Sequence, residues 1–453
     1  MHPFQFSSPI DRVPMEILSK IFTECIHEGG LARVTDRSDY APINISSVCN
    51  IWRRLATSNP LLWSGILIED PFIHCTPNLT IWIERSGSLG FSFSIRSDAF
   101  RLNYHRLFLV LLNNAALWKD IDLSLHNHHI RMFAAKIPTD TPQLRSVTLF
   151  DLTAGFARRL HIDLWSGPLV HLTHLSIATN ASFHSGRSLA NLHTLCLTDV
   201  PIASCGACLP HCPTLEELMI RQETNWQEID YLVEPDIECY LPRLQTFKLG
   251  FSPALRSPLA HVTICFLVDQ FHLPTLKSLF LDFPGSEESN FVWTCITRLV
   301  QRCSSTLRNL EMWTTAVSNE KLIRCIGAAP YLEYLGVQPV LMTEELSQHL
   351  TQHRVSPHPQ CSCPNLTTIR FLDYDPDDAK VYSFAMAITK SRVEALEVTE
   401  SPGHQKSKFT IVVPSGWPFE RVDCGLEILS PPEWRRRRQN DLYKNIDCAW
   451  TKL

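Results

Sequence analysis

The phrase Leu-x-x-Leu-x-Leu, with other apolar residues standing in at some positions, occurs nine times between residues 144 and 371. It reads Leu144-Val147-Leu149, Leu172-Leu175-Ile177, Leu192-Leu195-Leu197, Leu215-Leu218-Ile220 and Leu244-Phe247-Leu249 in the first part. It continues as Leu276-Leu279-Leu281, Leu307-Leu310-Met312, Leu332-Leu335-Val337 and Leu366-Ile369-Phe371. Leu144 and Leu366 are 222 residues apart over eight steps, a mean of about 28, and single steps run from 20 to 34. Self-similarity at such a period marks a stacked array, in which each unit buries its apolar face only against its neighbours. The last two apolar positions of each phrase are two residues apart, the period of a strand with one buried face.

The intervals supply helices. Val292, Ile296, Leu299 and Val300 share a helical face ahead of the strand around Leu310, and Leu322, Ile323 and Ile326 do so ahead of Leu335. Six phrases have a proline two residues before their first leucine: Pro142, Pro213, Pro242, Pro274, Pro330 and Pro364. A proline just past a helix end stops the helix and leads into extended chain, which accounts for 30 Pro against only 16 Gly. Earlier strands are expected at Phe91-Phe93-Ile95 and Ile121-Leu123-Leu125, with Leu107 to Leu112 on a helix between them. The fold class is therefore α/β. The repeat length lies in the range of leucine-rich repeats, roughly 20–29 residues. The array resembles that family, although the asparagine that should follow the last leucine is mostly missing: Asn180 fits, but Val200 and Pro284 stand there in other repeats. The resemblance implies a horseshoe-like solenoid with parallel strands on its concave face. A non-repeat α/β domain is the alternative.

Upstream of the array, Asp11-Arg12-Val13-Pro14-Met15-Glu16-Ile17-Leu18 predicts a helix start, with Asp11 as cap and Pro14 in the first turn. Ile17, Leu18, Ile21, Phe22, Cys25 and Ile26 recur at helical spacing. Gly29 to Pro42 is polar and reads as a loop, and a second helical stripe then carries Ile45, Val48, Cys49, Trp52, Leu55 and Ala56. Pro60-Leu61-Leu62-Trp63 closes the segment. A few short helices make a marginal core and leave apolar surface for a partner to complete.

Val13-Pro14-Met15-Glu16-Ile17-Leu18 with Ile21-Phe22, then Val48-Cys49-Asn50-Ile51-Trp52-Arg53-Arg54-Leu55 and Pro60-Leu61-Leu62-Trp63, resemble an F-box in composition and order. Val13 replaces the usual leucine, and about a dozen residues are inserted between the helices, which costs a loop little. Trp82-Ile83-Glu84-Arg85-Ser86-Gly87 and Leu117-Trp118-Lys119-Asp120-Ile121-Asp122-Leu123 resemble phrases of the large F-box families of mushroom-forming fungi. The resemblance implies three parts: an all-α docking domain over 9–66, a leucine-rich-repeat-like solenoid over 67–430, and a C-terminal tail with a basic run over 431–453. It further implies that Pro14, Ile17, Leu18, Ile21, Val48, Cys49, Trp52 and Trp63 form the apolar contact, and its support, for a Skp-type adaptor. Through that adaptor the chain would reach the cullin and RING protein of an SCF-type ubiquitin ligase. A helical cap belonging to a larger domain is the plainer alternative for the same residues.

In such an array the residues between the leucines face the concave surface. This stripe runs from His174 and Ser176 to Thr368 and Arg370, and we take Met219, Lys248, Phe280, Glu311, Tyr334 and Arg370 as its candidate substrate contacts. Its mixed chemistry favours an unidentified protein substrate over a sugar or a phosphate. The function expected is substrate recognition, in which proximity does the work and no catalytic residue, metal or cofactor is required. A scaffold acting outside ubiquitination, and an enzyme on a repeat fold, are the alternatives.

Charge supports neither nucleic acid nor membrane as partner: Lys plus Arg is 41 against 46 acidic residues, a net −5. No 18-residue apolar run and no leader-like start are visible, so a cytoplasmic or nuclear protein with reduced thiols is expected. Cys205-x-x-Cys208-x-x-His211-Cys212 has a metal-like look, but its four candidates fall within eight residues, whereas zinc sites draw ligands from separate elements. Core thiols are the expected reading there, and likewise for Cys361-x-Cys363 with His358. Arg435 to Arg438 reads as a solvated tail, and His126, His128 and His129 as a turn. No phosphate loop, Gly-x-Ser-x-Gly or His-Glu-x-x-His is present.

Overall fold

A computed structural model of the chain describes residues 9–26, 32–33, 42–69, 75–97, 104–134, 136–137, 141–153, 160–162, 170–178, 181–183, 189–222, 238–251, 258–283, 290–314, 317–351, 363–372, 379–399, 409–414 and 426–429. Two compact units divide the chain, Met1–Leu189 and Ala190–Leu453. Both are mixed α/β.

The first unit opens with helices α1 (Met15–Glu24), α2 (Ile43–Val48) and α3 (Asn50–Ser58), with a two-residue strand β1 (Ala32–Arg33) between α1 and α2. Then come β2 (Gly65–Glu69), α4 (Cys75–Ser86), β3 (Phe91–Arg96), α5 (His105–Leu112), β4 (Trp118–Leu125), α6 (Asn127–Ala134) and β5 (Ser146–Asp151). Strands β6 (Leu160–Ile162), β7 (His174–Ala178) and β8 (Ala181–Phe183) finish it. Strands β1, β2, β3, β4, β5 and β7 pair in that order, all parallel, while β6 and β8 pair separately. The expected strands around Phe93 and Ile121, and the helix between them, are β3, β4 and α5.

In the second unit the order is β9 (Thr194–Thr198), α7 (Ile202–Cys208), β10 (Glu217–Gln222), β11 (Cys239–Tyr240), β12 (Thr246–Phe251), α8 (Pro258–Asp269) and β13 (Phe271–His272). It continues with β14 (Ser278–Phe283), α9 (Asn290–Arg302), β15 (Asn309–Thr314), α10 (Asn319–Gly327), β16 (Tyr334–Val337) and α11 (Glu344–Leu350). Last come β17 (Thr368–Phe371), α12 (Ala379–Thr399), β18 (Thr410–Pro414) and β19 (Leu426–Leu429). Strands β9, β10, β12, β14, β15, β16, β17, β18 and β19 pair successively and parallel.

The repeat leucines set the register. Leu218, Phe247, Leu279, Leu310, Leu335, Ile369 and Ile411 lie opposite one another on adjacent strands, and Ile220, Leu249, Leu281, Met312, Val337 and Phe371 form the next inward row. Both rows are buried. A one-residue slip would turn both rows outward, so the apolar pattern fixes the pairing. Val292, Ile296, Leu299 and Val300 of α9 are buried as expected, and so are Leu322 and Ile326 of α10.

The prolines act more locally than a helix stop. Leu144, Leu215, Leu244, Leu276, Leu332 and Leu366 each donate a backbone hydrogen bond, at 3.1 to 3.4 Å, to the carbonyl three residues earlier. The proline is the second residue of each of these four-residue turns, the place where its fixed φ is already right. Side chains tie neighbouring turns together in place of the missing asparagines. Thr214 Oγ1 donates to the carbonyls of Ala190 and Leu192 (2.7 and 3.0 Å), and Thr275 Oγ1 to those of Pro242 and Leu244 (2.9 and 3.1 Å). Cys303 Sγ approaches Leu273 O at 3.7 Å and Cys363 Sγ approaches Ala329 O at 3.6 Å.

Near the C-terminal end of this unit, Arg392 of α12 is buried among carbonyls. Its Nε and Nη2 donate to Leu350 O (2.9 and 2.8 Å), the last residue of α11, and its Nη1 donates to Cys363 O (2.8 Å) and Leu366 O (3.2 Å).

Four local expectations fail. Helix α1 begins at Met15, with Pro14 at its cap and no side-chain cap, while Asp11 lies in a separate turn, Pro9–Arg12. Val13 precedes a proline and is pushed away from helical backbone, so the helix starts after that pair. The second stripe is two helices, because Cys49 is extended (φ −158°, ψ 173°) and caps α3, its Sγ accepting from Trp52 N at 3.5 Å. The segment Gly29 to Pro42, expected as loop, contains β1, which pairs with Ile66 and Leu67. His128 and His129 lie in α6 rather than in a turn, with His129 buried 4.3 Å from the Tyr104 ring. Asn180, Pro284, His358, Cys361 and Arg435 to Arg438 lie outside the described residues.

Candidate functional site

Two surfaces carry the residues singled out from the sequence. On the N-terminal helices, Leu18 and Phe22 are one turn apart on the buried side of α1, and the Phe22 ring meets that of Trp52 with centroids 4.7 Å apart. This orientation leaves Ile17 (45% exposed) and Ile21 (47%) outward, with Val48 (60%) at the end of α2 and Ile51 on α3. Of fourteen large hydrophobic side chains exposed among the described residues, seven lie between Ile10 and Leu61, far more than an even spread would place there. Pro14 and Cys49 are also exposed, and Trp52 is half-buried. Leu18 and Trp63 are interior, packed among the helices.

On the second unit's sheet, Met219, Lys248, Phe280, Glu311 and Arg370 occupy one row across β10, β12, β14, β15 and β17, with Gly336 of β16 filling the gap. Tyr334 lies one row over, in register with Asn309 and Thr368. The structure thus brings all six candidate contacts onto one face. Phe280 and Tyr334 are half-buried, and the other four are buried.

The charges on this face are paired with each other. Lys248 Nζ donates to Glu217 Oε1 at 2.6 Å, and Arg221 Nη1 to Asp282 Oδ2 at 2.9 Å. Glu311 accepts from Trp313 Nε1 (2.6 Å) and the Tyr334 hydroxyl (2.8 Å), with Arg370 Nη1 3.6 Å from its carboxylate. Burial, and then the Glu311 charge, push the Tyr334 hydroxyl well above its usual range. Two of the ion pairs skip a strand, and each skips over a glycine: Arg221 to Asp282 across Gly250, and Glu311 to Arg370 across Gly336. A Cβ at Gly336 would lie 2.7 Å from Glu311 Cγ. In the first unit Ser92 and Ser94 of β3 donate to Asp120 (2.6 Å) and Asp122 (2.8 Å) of β4, with Arg96 3.2 Å from Asp122. Sequence reasoning placed Glu217 on this face without its partner, and missed Asp282 and both glycines, because their roles depend on which strands become neighbours. The signal available was a Gly breaking the alternating pattern at 250 and 336.

Cys205, Cys208, Cys212 and Cys239 are all buried, and among the described residues no group of three or more His, Cys, Asp or Glu side chains converges as a metal site needs. Burial pushes the Cys239, Cys196 and Cys325 thiols up to about 12 and Cys303 to about 11. The thiolate is the reactive form, so these thiols are inert. Of the twelve cysteines whose side chains are described, only Cys25 and Cys49 are exposed. At pH 8 an alkylating reagent is expected to modify those two quickly, and the buried ten only on unfolding. Peptide mapping by mass spectrometry checks this, and rapid labelling of Cys205 or Cys208 would contradict it.

No described helix is long and apolar enough to cross a membrane. Against known proteins, no family model matches the chain, and no curated protein matches it significantly.

Proposed function

We propose that the chain is the substrate-recognition subunit of an SCF-type ubiquitin ligase. Its N-terminal helices are an F-box that docks a Skp-type adaptor, and the remaining α/β array is a leucine-rich-repeat solenoid that holds a protein substrate on its sheet face. The observation that carries this reading is the outward set Ile17, Ile21 and Val48, on the helices whose residues match the F-box pattern. Apolar surface of this kind is stabilised by being covered. In-register rows of repeat leucines support the array half. Because the charges on the sheet face neutralise one another, the substrate meets that face through hydrogen-bonding and aromatic groups, with Phe280 and Tyr334 the most open, rather than through net charge. The chain makes and breaks no bond itself; it raises the effective concentration of a substrate lysine beside the transferring enzyme.

The test uses exposed residues, since Leu18→Ala or Trp52→Ala would loosen the helices themselves. Ile17→Ser with Ile21→Ser removes about 2 kcal/mol of interfacial burial, so adaptor affinity is expected to fall about thirtyfold in a titration. Unchanged affinity, or no binding by the wild-type chain, would sink the reading.

A further inference from the structure

Trp63 stands at a junction. Its Nε1 donates to Ala56 O, near the end of α3, at 2.8 Å, and the indole is 1% exposed. On its other side are two residues of α4. Trp82 meets the Trp63 ring edge-on with centroids 5.2 Å apart, and the Arg85 guanidinium carbon lies 4.2 Å from the ring centroid. Leu62, Leu79 and Trp82 are buried with it. Between Trp63 and the start of β2 at Gly65 there is a single residue, Ser64, and no spacer. The inward apolar side chains of α1 to α3 are few: Leu18, Phe22, Ile45 and Ala56. Helices this short depend on tertiary packing for their stability, and the largest interior side chain available to them is Trp63. Its position is set from α4.

We infer that Trp82 and Arg85 are positioning residues for the docking helices: they seat Trp63, Trp63 seats α3, and the Ile17, Ile21 and Val48 surface is therefore held from the first strand–helix unit of the array. The docking surface is then not a self-contained module ending near residue 66. Edge-on aromatic pairs and a guanidinium over an indole face are each directional contacts, so they fix an orientation as well as burying area. The inference deepens the adaptor reading, and its affinity arm rests on that reading; its hydrogen-exchange arm does not.

The experiment is made on the full chain with Trp82→Ala, Trp82→Phe and Arg85→Ala, measuring amide hydrogen exchange and adaptor affinity. In Trp82→Ala, exchange over residues 50–63 is expected to rise about tenfold or more, while β4 and β5 keep their wild-type protection. Adaptor affinity should fall by a similar factor. Trp82→Phe, which keeps a ring against Trp63, should recover most of both, and Arg85→Ala should show a several-fold effect in the same segment. Unchanged exchange over 50–63 would overturn the inference. So would a uniform rise across the first unit, which would mean that Trp82 only stabilises the unit as a whole. If wild-type chain binds adaptor and the variants change nothing, the inference falls and the adaptor reading stands. If exchange responds as expected but wild-type chain binds no adaptor, the adaptor reading falls and the positioning stands. Should Trp82→Ala fail to fold, Trp82→Phe and Arg85→Ala carry the same comparison.

Discussion

Arg392→Met will release α12 from its seat, at a cost of about 3–5 kcal/mol. Arg392 is 2% exposed and donates to three carbonyls on two elements: Leu350 O, Cys363 O and Leu366 O. Leu350 ends α11, so its carbonyl belongs to the negative end of that helix, where a cation is favoured. Cys363 O and Leu366 O belong to the turn that leads into β17. Methionine fills much of the same volume but donates to none of these carbonyls, and each buried hydrogen bond from a charged group that is lost costs about 1.5–3 kcal/mol. Lysine does not rescue the site, because one ammonium cannot copy a planar fork that spans two elements. Hydrogen exchange should show α11, α12 and β17 losing protection together while β10 and β12 keep theirs. Full protection of α12 in Arg392→Met would refute this account.

Gly336→Ala is expected to cost about 2–4 kcal/mol, and Gly250→Ala far less. Both glycines lie beneath an ion pair that skips a strand, yet the space differs. At Gly336 an added Cβ would come within 2.7 Å of Glu311 Cγ and 3.2 Å of Leu372 Cδ2. Glu311 cannot yield cheaply, since Trp313 and Tyr334 hold its carboxylate. At Gly250 the nearest atoms, Arg221 Cγ and Asp282 Cβ, are 3.5 Å away, an ordinary contact. Denaturant midpoints of the two variants should differ clearly, and similar midpoints would show that the Glu311 cluster rearranges freely. Trp313 emission offers a second readout of the same site.

The rows of apolar residues were legible in the sequence because a strand's period is local: Leu218 and Ile220 reveal their shared face without knowledge of any neighbour. The same period placed Met219, Lys248, Phe280, Glu311 and Arg370 on the opposite face. Their partners were not legible. Glu217 meets Lys248 only because β10 and β12 pair in one register, although 23 residues separate those strands in the chain. Trp82 and Arg85 stood out only as part of a phrase resembling one family; their contact with Trp63 was not legible, because it depends on how α4 packs against the preceding turn. The break at Cys49 was hidden by a stripe that runs through both α2 and α3, since a single extended residue scarcely disturbs the count of apolar positions. His129 was misjudged from its polar neighbours, whereas a one-residue step inside α6 separates the exposed His128 from His129, which is buried against Tyr104.

The proline turns also bear on how such a chain tolerates change. What recurs is small: four residues of turn and the strand that follows. The segments that return from one strand to the next differ, since the phrases are spaced 20 to 34 residues apart, and α8 and α9 are long where α7 is short. Lateral bonds from Thr214, Thr275, Cys303 and Cys363 join turn to turn and bypass those returns. Insertions there leave strand alignment alone, so the outer edge of the array is free to diversify while the sheet face keeps its spacing.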